Sequence, residues 1–161
     1  MNRCTLRSCS RSATAPDLLE SRAPTDPQSL RFFVDETSLG VGRALALLRR
    51  DVIHTNHPLI PEVPLGTLDD DWIPQVATRN LAVITRDKRI RTKHAKSMLY
   101  AENGLRVFWI AGKKDLSNWD TMCLLTRRWD DIEREIKERG PGPWFMAINE
   151  TKLSDMRIRL R

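Results

Sequence analysis

Three acidic groups in this chain have the types and spacing to do chemistry: Asp35-Glu36, Asp69-Asp70-Asp71 and Asp87. Asp35-Glu36 closes the apolar run Phe32-Phe33-Val34, and Arg86-Asp87 follows the run Leu81-Ala82-Val83-Ile84-Thr85. Open α/β sheets bind their ligands at the carboxyl ends of the strands. If these two runs are neighbouring strands, and the triple aspartate opens the helix feeding the second, all three groups reach one sheet edge. Carboxylates gathered there raise one another's pKa unless a cation neutralises them. Hard oxygen ligands with no His or Cys among them select Mg²⁺ or Mn²⁺ over zinc. Such an ion can bind a phosphate and orient an attacking water.

Each group also has a plainer use. Aspartates in a first helical turn stabilise it by a few tenths to ~1 kcal/mol each against the macrodipole. Asp35-Glu36 can precap the next helix, and Asp87 can pair within a turn with Arg86 or Lys88. Helical geometry separates the three neighbours: Asp69 shares a face with Trp72, Ile73 and Val76, Asp70 aligns with Ile73 and Ala77, and Asp71 should face water. Asp69 is the first choice as a site residue and Asp70 the second. His54 and His57 are left out, because a lone histidine more often satisfies a backbone contact.

Between Arg86 and Lys96 lie six basic residues and one acid, a net +5, which equals the whole excess charge of residues 30–161. A charge run alone reads as a solvated face. Beside a carboxylate cluster it also suits a polyanion, which needs a basic track and a metal centre together.

The elements that must position these groups follow from the pattern. Strands are expected at Arg31–Asp35, Asp51–Thr55, Leu81–Thr85, Leu105–Ile110 and Trp144–Ile148, with a further edge strand at Met156–Leu160. Helices are expected after a Thr37 or Ser38 cap, over Leu68–Arg79, up to Asn103-Gly104, and over Ser117–Arg139 with Trp119, Met122, Leu125, Trp129, Ile132 and Ile136 facing in. Prolines 58, 61 and 64 make residues 56–66 a loop. Strand and helix in alternation predict a mainly parallel sheet with helices on both faces.

Composition sets the outer bounds. Of 161 residues 40% are apolar and 30% charged, a globular balance, and no apolar run reaches the eighteen residues of a membrane span. Cys4, Cys9 and Cys123 are too few and too far apart for a disulfide scaffold or a zinc site, which fits a cytoplasmic protein. Residues 1–29, with basic residues among Ser and Thr and then Pro16, Pro24 and Pro27, read as a disordered tail before one domain at 30–161.

These residues resemble the PIN-like domains of VapC-type toxins from toxin-antitoxin systems. The likeness is carried by Phe33-Val34-Asp35-Glu36, by Gly66-Thr67-Leu68-Asp69-Asp70-Asp71-Trp72, and above all by Thr85-Arg86-Asp87-Lys88-Arg89, and it spans roughly residues 31–150. In that family an aspartate opens the helix about eighteen residues before the aspartate of a Thr-x-Asp motif, and Asp69 stands eighteen residues before Asp87. The resemblance implies a three-layer α/β/α sandwich and an endoribonuclease using Mg²⁺ or Mn²⁺, held inactive by a cognate antitoxin protein. Asp35, Asp69 and Asp87 would bind the metal directly or through water, and Glu36 or Asp70 would help position the attacking water. Arg86, Lys88, Arg89 and Arg91 would contact RNA phosphates. The usual family glutamate has no clear counterpart, with Glu36 or Glu62 as substitutes, so an inactive RNA or protein adaptor is a second reading. A third is a receiver-like phosphoacceptor domain with Lys113 as its lysine. Trp144, Phe145 and the C-terminal edge strand offer contacts for a homodimer or the antitoxin, although a core placement suits both aromatics better.

Overall fold

The computed structural model describes residues 29–112 and 116–158. The chain runs β1 (Phe32–Val34), α1 (Leu39–Leu48), β2 (Val52–His54), α2 (Asp69–Thr78), β3 (Ala82–Thr85), α3 (Arg89–Thr92), α4 (His94–Glu102), β4 (Arg106–Ile110), α5 (Asn118–Arg139), β5 (Trp144–Ile148) and β6 (Leu153–Asp155). A short 3₁₀ turn, Glu36–Ser38, joins β1 to α1. The strands form one sheet in the order β2-β1-β3-β4-β5-β6. Every pairing is parallel except β5 with β6.

Strand alternation splits the core into two layers. Phe33, Ile53, Val83 and Val107 turn to one face and meet Trp72, Ile73 and Val76 of α2 and Tyr100 of α4. Phe32, Val34, Ala82, Ile84 and Phe108 turn to the other and meet Val41 and Leu45 of α1 and Leu125, Trp129 and Ile132 of α5. Phe32, Phe33 and Val34 are all fully buried, as a strand covered on both faces requires. The result is the α/β/α sandwich anticipated from the sequence.

Two details fix the elements nearest the acids. Gly42 lets α1 lie close on the sheet, since a Cβ there would meet His54 Cβ at 2.8 Å and Val34 Cβ at 2.9 Å. At the opposite end of the strands, Arg31 and Arg49 bind Asp51 and Glu133, which ties α5 to β1 and β2.

Three local expectations need correction. The antiparallel edge strand is Leu153–Asp155, not Met156–Leu160, because the return is set by the turn in which Asn149 N–H bonds Lys152 O. Trp119 is 75% exposed rather than facing in, since the first turn of α5 lies beyond the carboxyl edge of the sheet. The basic segment forms two helices, α3 and α4, rather than leading into one. Phe145 is buried and Trp144 packs edge-on against Phe108 at 5.1 Å, so both serve the core, the placement the sequence favours. The proposed tail up to residue 28, Lys113 and residues 159–160 of the expected strand lie outside the described residues. Among the described residues no helix is long and apolar enough to cross a membrane.

Candidate active site

The pairing of β1 with β3 brings the first and last acids together. Asp35 follows β1 directly, and its backbone N–H donates to Ile84 O of β3 at 3.2 Å. That bond extends the ladder by one residue and sets the Asp35 carboxylate beside Thr85. Thr85 donates its hydroxyl to Asp35 Oδ2 at 2.6 Å, and Thr85 Oγ1 in turn accepts the Asp87 N–H at 3.0 Å. Thr37 mirrors it, donating to Asp35 Oδ1 at 2.6 Å and accepting the Arg86 N–H at 3.1 Å. Two threonine hydroxyls therefore lock the buried Asp35 carboxylate to the backbone of the Thr85-Arg86-Asp87 turn. The sequence offered Thr37 only as a helix cap; Ser38 takes that position without a side-chain cap bond, and Thr37 serves Asp35.

Asp69 reaches the same place from α2. Trp72 Nε1 donates to Asp69 Oδ1 at 3.0 Å, one turn along the helix, while the Trp72 ring stacks on Phe33 at 5.2 Å. The indole is thus anchored in the core and holds the carboxylate at the rim. Below it, Tyr100 meets Trp72 edge-on at 5.8 Å. Burial, with Asp35, Asp69 and Asp87 nearby, holds the Tyr100 hydroxyl well above its ordinary pKa.

Between Asp69 and Asp87 sits a residue the sequence reading missed as a site member. Lys96 Nζ lies 2.6 Å from Asp69 Oδ2 and also binds Asp87 Oδ2. Its side chain is only 8% exposed. In the sequence Lys96 belongs to the basic stripe, but α4 buries Lys96, Ser97 and Tyr100. Lys96 and Tyr100 stand four residues apart, hence on one helix face. A lysine in phase with a buried aromatic was the available signal.

Asp35, Glu36, Asp69, Asp87, Arg89 and Lys96 line one cavity of about 250 Å³. Glu36 is held at its rim, accepting the Gly66 N–H at 3.0 Å, where Gly66 turns with φ +78°. Asp70 is exposed and is absent from the cavity, as is Asp71. Glu62 pairs with Arg79 instead of joining the acids.

The electrostatics are uneven. Burial raises the Asp35 carboxyl to about 6, with Asp87 adding to the rise and the two threonines and Lys96 opposing it. Burial also acts to raise Asp87, but hydrogen bonds from Arg89 and Lys96 outweigh it and leave that carboxyl below its ordinary value. Arg89 contributes its backbone N–H, Nε and Nη2 to Asp87 at 2.9–3.1 Å.

The expected basic track divides. Arg89 is on the cavity, with its side chain 62% exposed. Lys88 is exposed to solvent. Arg86 turns away, donating to Leu116 O at 2.8 Å ahead of α5, and Arg91 lies over the Trp109 ring at 4.8 Å.

Among the described residues, no three His, Cys, Asp or Glu side chains stand ready as a metal-ligating group. The chemistry of the donor set still suits a hard cation. Four carboxylates on the cavity face two basic groups, which leaves an excess of negative charge. Each Asp35 oxygen accepts one hydroxyl, which leaves a lone pair on each for another partner.

No curated protein and no solved structure matches this chain. A family model described as a PIN like domain matches residues 30–112, the segment that supplies every acid and base of this cavity. With half of its length in that match and the α/β/α fold around it, the chain belongs to the PIN-like domain family.

Proposed function

We propose that this PIN-like domain is a metal-dependent endoribonuclease that hydrolyses RNA phosphodiester bonds with Mg²⁺ or Mn²⁺. The observation that carries the reading is the convergence of Asp35, Asp69 and Asp87 on one small cavity at the carboxyl edge of the sheet. Asp35, Asp69 and Asp87 would hold the ion. When bound, it supplies charge neutralisation for the phosphodiester and an oriented water.

The residues of the chain divide the remaining work. Asp35, immobilised by Thr37 and Thr85, keeps a lone pair on each carboxylate oxygen and is bonded to neutral hydroxyls. Glu36, exposed at the rim, is the acid placed to orient a water; Asp70 is also exposed but does not line the cavity. Arg89 holds Asp87 while remaining open to solvent, so one side chain can position a carboxylate and meet a phosphate. Lys88 extends the positive surface beyond it. A role as a toxin held by an antitoxin protein rests on the resemblance alone, carried by the segments Phe33–Glu36, Gly66–Trp72 and, above all, Thr85–Arg89.

The test is cleavage of a mixed RNA substrate by the purified chain in Mn²⁺, in Mg²⁺ and after chelation. Cleavage that needs the metal and leaves 5′-phosphates supports the nuclease. The adaptor reading is favoured by one observation, the pairing of Asp69 and Asp87 with basic side chains. Salt-sensitive RNA binding without metal-dependent turnover would select it.

A further inference from the structure

We propose that Lys96 is the resident second cation of this site: held between Asp69 and Asp87, it takes the place of a second divalent ion, so that the cavity accepts one ion rather than two. The inference rests on the metal-dependent reading above and goes beyond it by assigning the number of ions and the residue that sets it.

The argument begins with burial. An ammonium taken out of water is costly unless paired, and Lys96 is nearly as buried as Asp87, at 8% and 5% side-chain exposure. An ammonium has three donors, and two of them go to Asp69 Oδ2 and Asp87 Oδ2. Asp87 Oδ2 also accepts Nε and Nη2 of Arg89, so its acceptor capacity is taken up. Asp69 is tied on its other oxygen by the Trp72 indole. This pair of carboxylates therefore already holds one cation, an ammonium, and Asp69, with one partner per oxygen, keeps acceptor capacity for a single further ion beside Asp35.

Asp35 is different. Its partners are neutral hydroxyls, one per oxygen, and among the described residues no basic side chain forms an ion pair with it. The countercharge of the cavity is thus concentrated on Asp69 and Asp87 and leaves Asp35 with the room. Two-ion phosphodiester sites place their metals roughly 3.5–4 Å apart on shared carboxylates. Here the carboxylates that would be shared already hold Nζ. Lys96 acts as a positioning residue: it fixes the Asp69–Asp87 pair and supplies one positive charge that does not depend on metal supply.

The experiment is Mn²⁺ binding to the full chain, with free Mn²⁺ followed by electron paramagnetic resonance, for wild type, Lys96→Met and Lys96→Arg. The expected result is one ion per wild-type chain, two for Lys96→Met, and one for Lys96→Arg, where the charge is restored. Two ions on the wild type, or one ion on a Lys96→Met chain with native circular dichroism, would overturn the inference. If Lys96→Met does not fold, the wild-type and Lys96→Arg stoichiometries decide, and two ions on either overturn it. No ion on the wild type would overturn the metal-dependent reading as well, whereas two would leave that reading standing.

Discussion

Thr85 donates its hydroxyl to Asp35 Oδ2 at 2.6 Å from inside the sheet, with no exposed surface of its own. The residue is thereby both the end of β3 and the clasp between two acids of the site. A β-branched residue suits the strand, and the hydroxyl is what valine in the same space would lack. Thr85→Val should cost about 1–3 kcal/mol of stability, the range for removing a buried hydrogen bond to a charged group. It should also lower cleavage, while Thr85→Ser preserves both. Urea denaturation beside a cleavage assay would show it, and a fully active Thr85→Val would refute the clasp.

The raised Asp35 carboxyl makes a prediction about pH. A folded-state value of about 6 against an ordinary 3.8 means that the folded state favours the protonated form. The stability associated with Asp35 is therefore present below pH 4 and is lost as pH rises through 6. Replacing it with Asn removes this loss. In metal-free buffer, Asp35→Asn should gain on the wild type by about 2–3 kcal/mol between pH 4 and pH 7. Asp87, held low by Arg89 and Lys96, has the opposite sign: its contribution is lost as pH falls below the ordinary carboxylate range. Parallel denaturation curves at several pH values measure both, and a gap between wild type and Asp35→Asn that does not change with pH would contradict the first.

The close approach of α1 to the sheet is open to a direct test. Gly42→Ala places a Cβ within 3 Å of His54 and Val34. Overpacking of this kind costs about 1–3 kcal/mol. Because α1 follows the turn that carries Glu36 and Thr37, the same change should reduce cleavage. A lowered denaturation midpoint is expected, and an unchanged one would mean that α1 shifts without consequence.

Two basic neighbours should behave differently. Lys88→Ala should weaken RNA binding and reduce its salt dependence by roughly one counterion. Arg86→Ala removes a guanidinium already committed to Leu116 O, so it should lower stability by about 1 kcal/mol with a smaller effect on the salt slope. Equal salt slopes for the two variants would count against this division.

The parts legible in the sequence were those with strong periodic or positional signals. Ala82–Thr85 declares a doubly covered strand, and the acids after β1 and β3 declare the sheet edge on which they meet. Helical phase ranked Asp69 above Asp70, and the fold puts Asp69 on the cavity and leaves Asp70 exposed. What stayed hidden depended on tertiary packing. Lys96 was lost in a run of like charges, because charge density is visible in a sequence while burial of one member is not. Thr37 looked like a cap because its distant partner, the Arg86 N–H, comes within reach only once β1 pairs with β3. Trp119 follows the helical stripe but lies in the first turn of α5, where it is exposed among the described residues.

The most direct test of the account is single-turnover RNA cleavage in Mn²⁺ by the wild type and by Asp35→Asn, Asp69→Asn and Asp87→Asn, each checked for native circular dichroism. The account predicts metal-dependent cleavage by the wild type and a loss of roughly 100-fold or more in each variant, as expected when a transition-state charge stabiliser is removed. Cleavage by folded Asp87→Asn at the wild-type rate would contradict it.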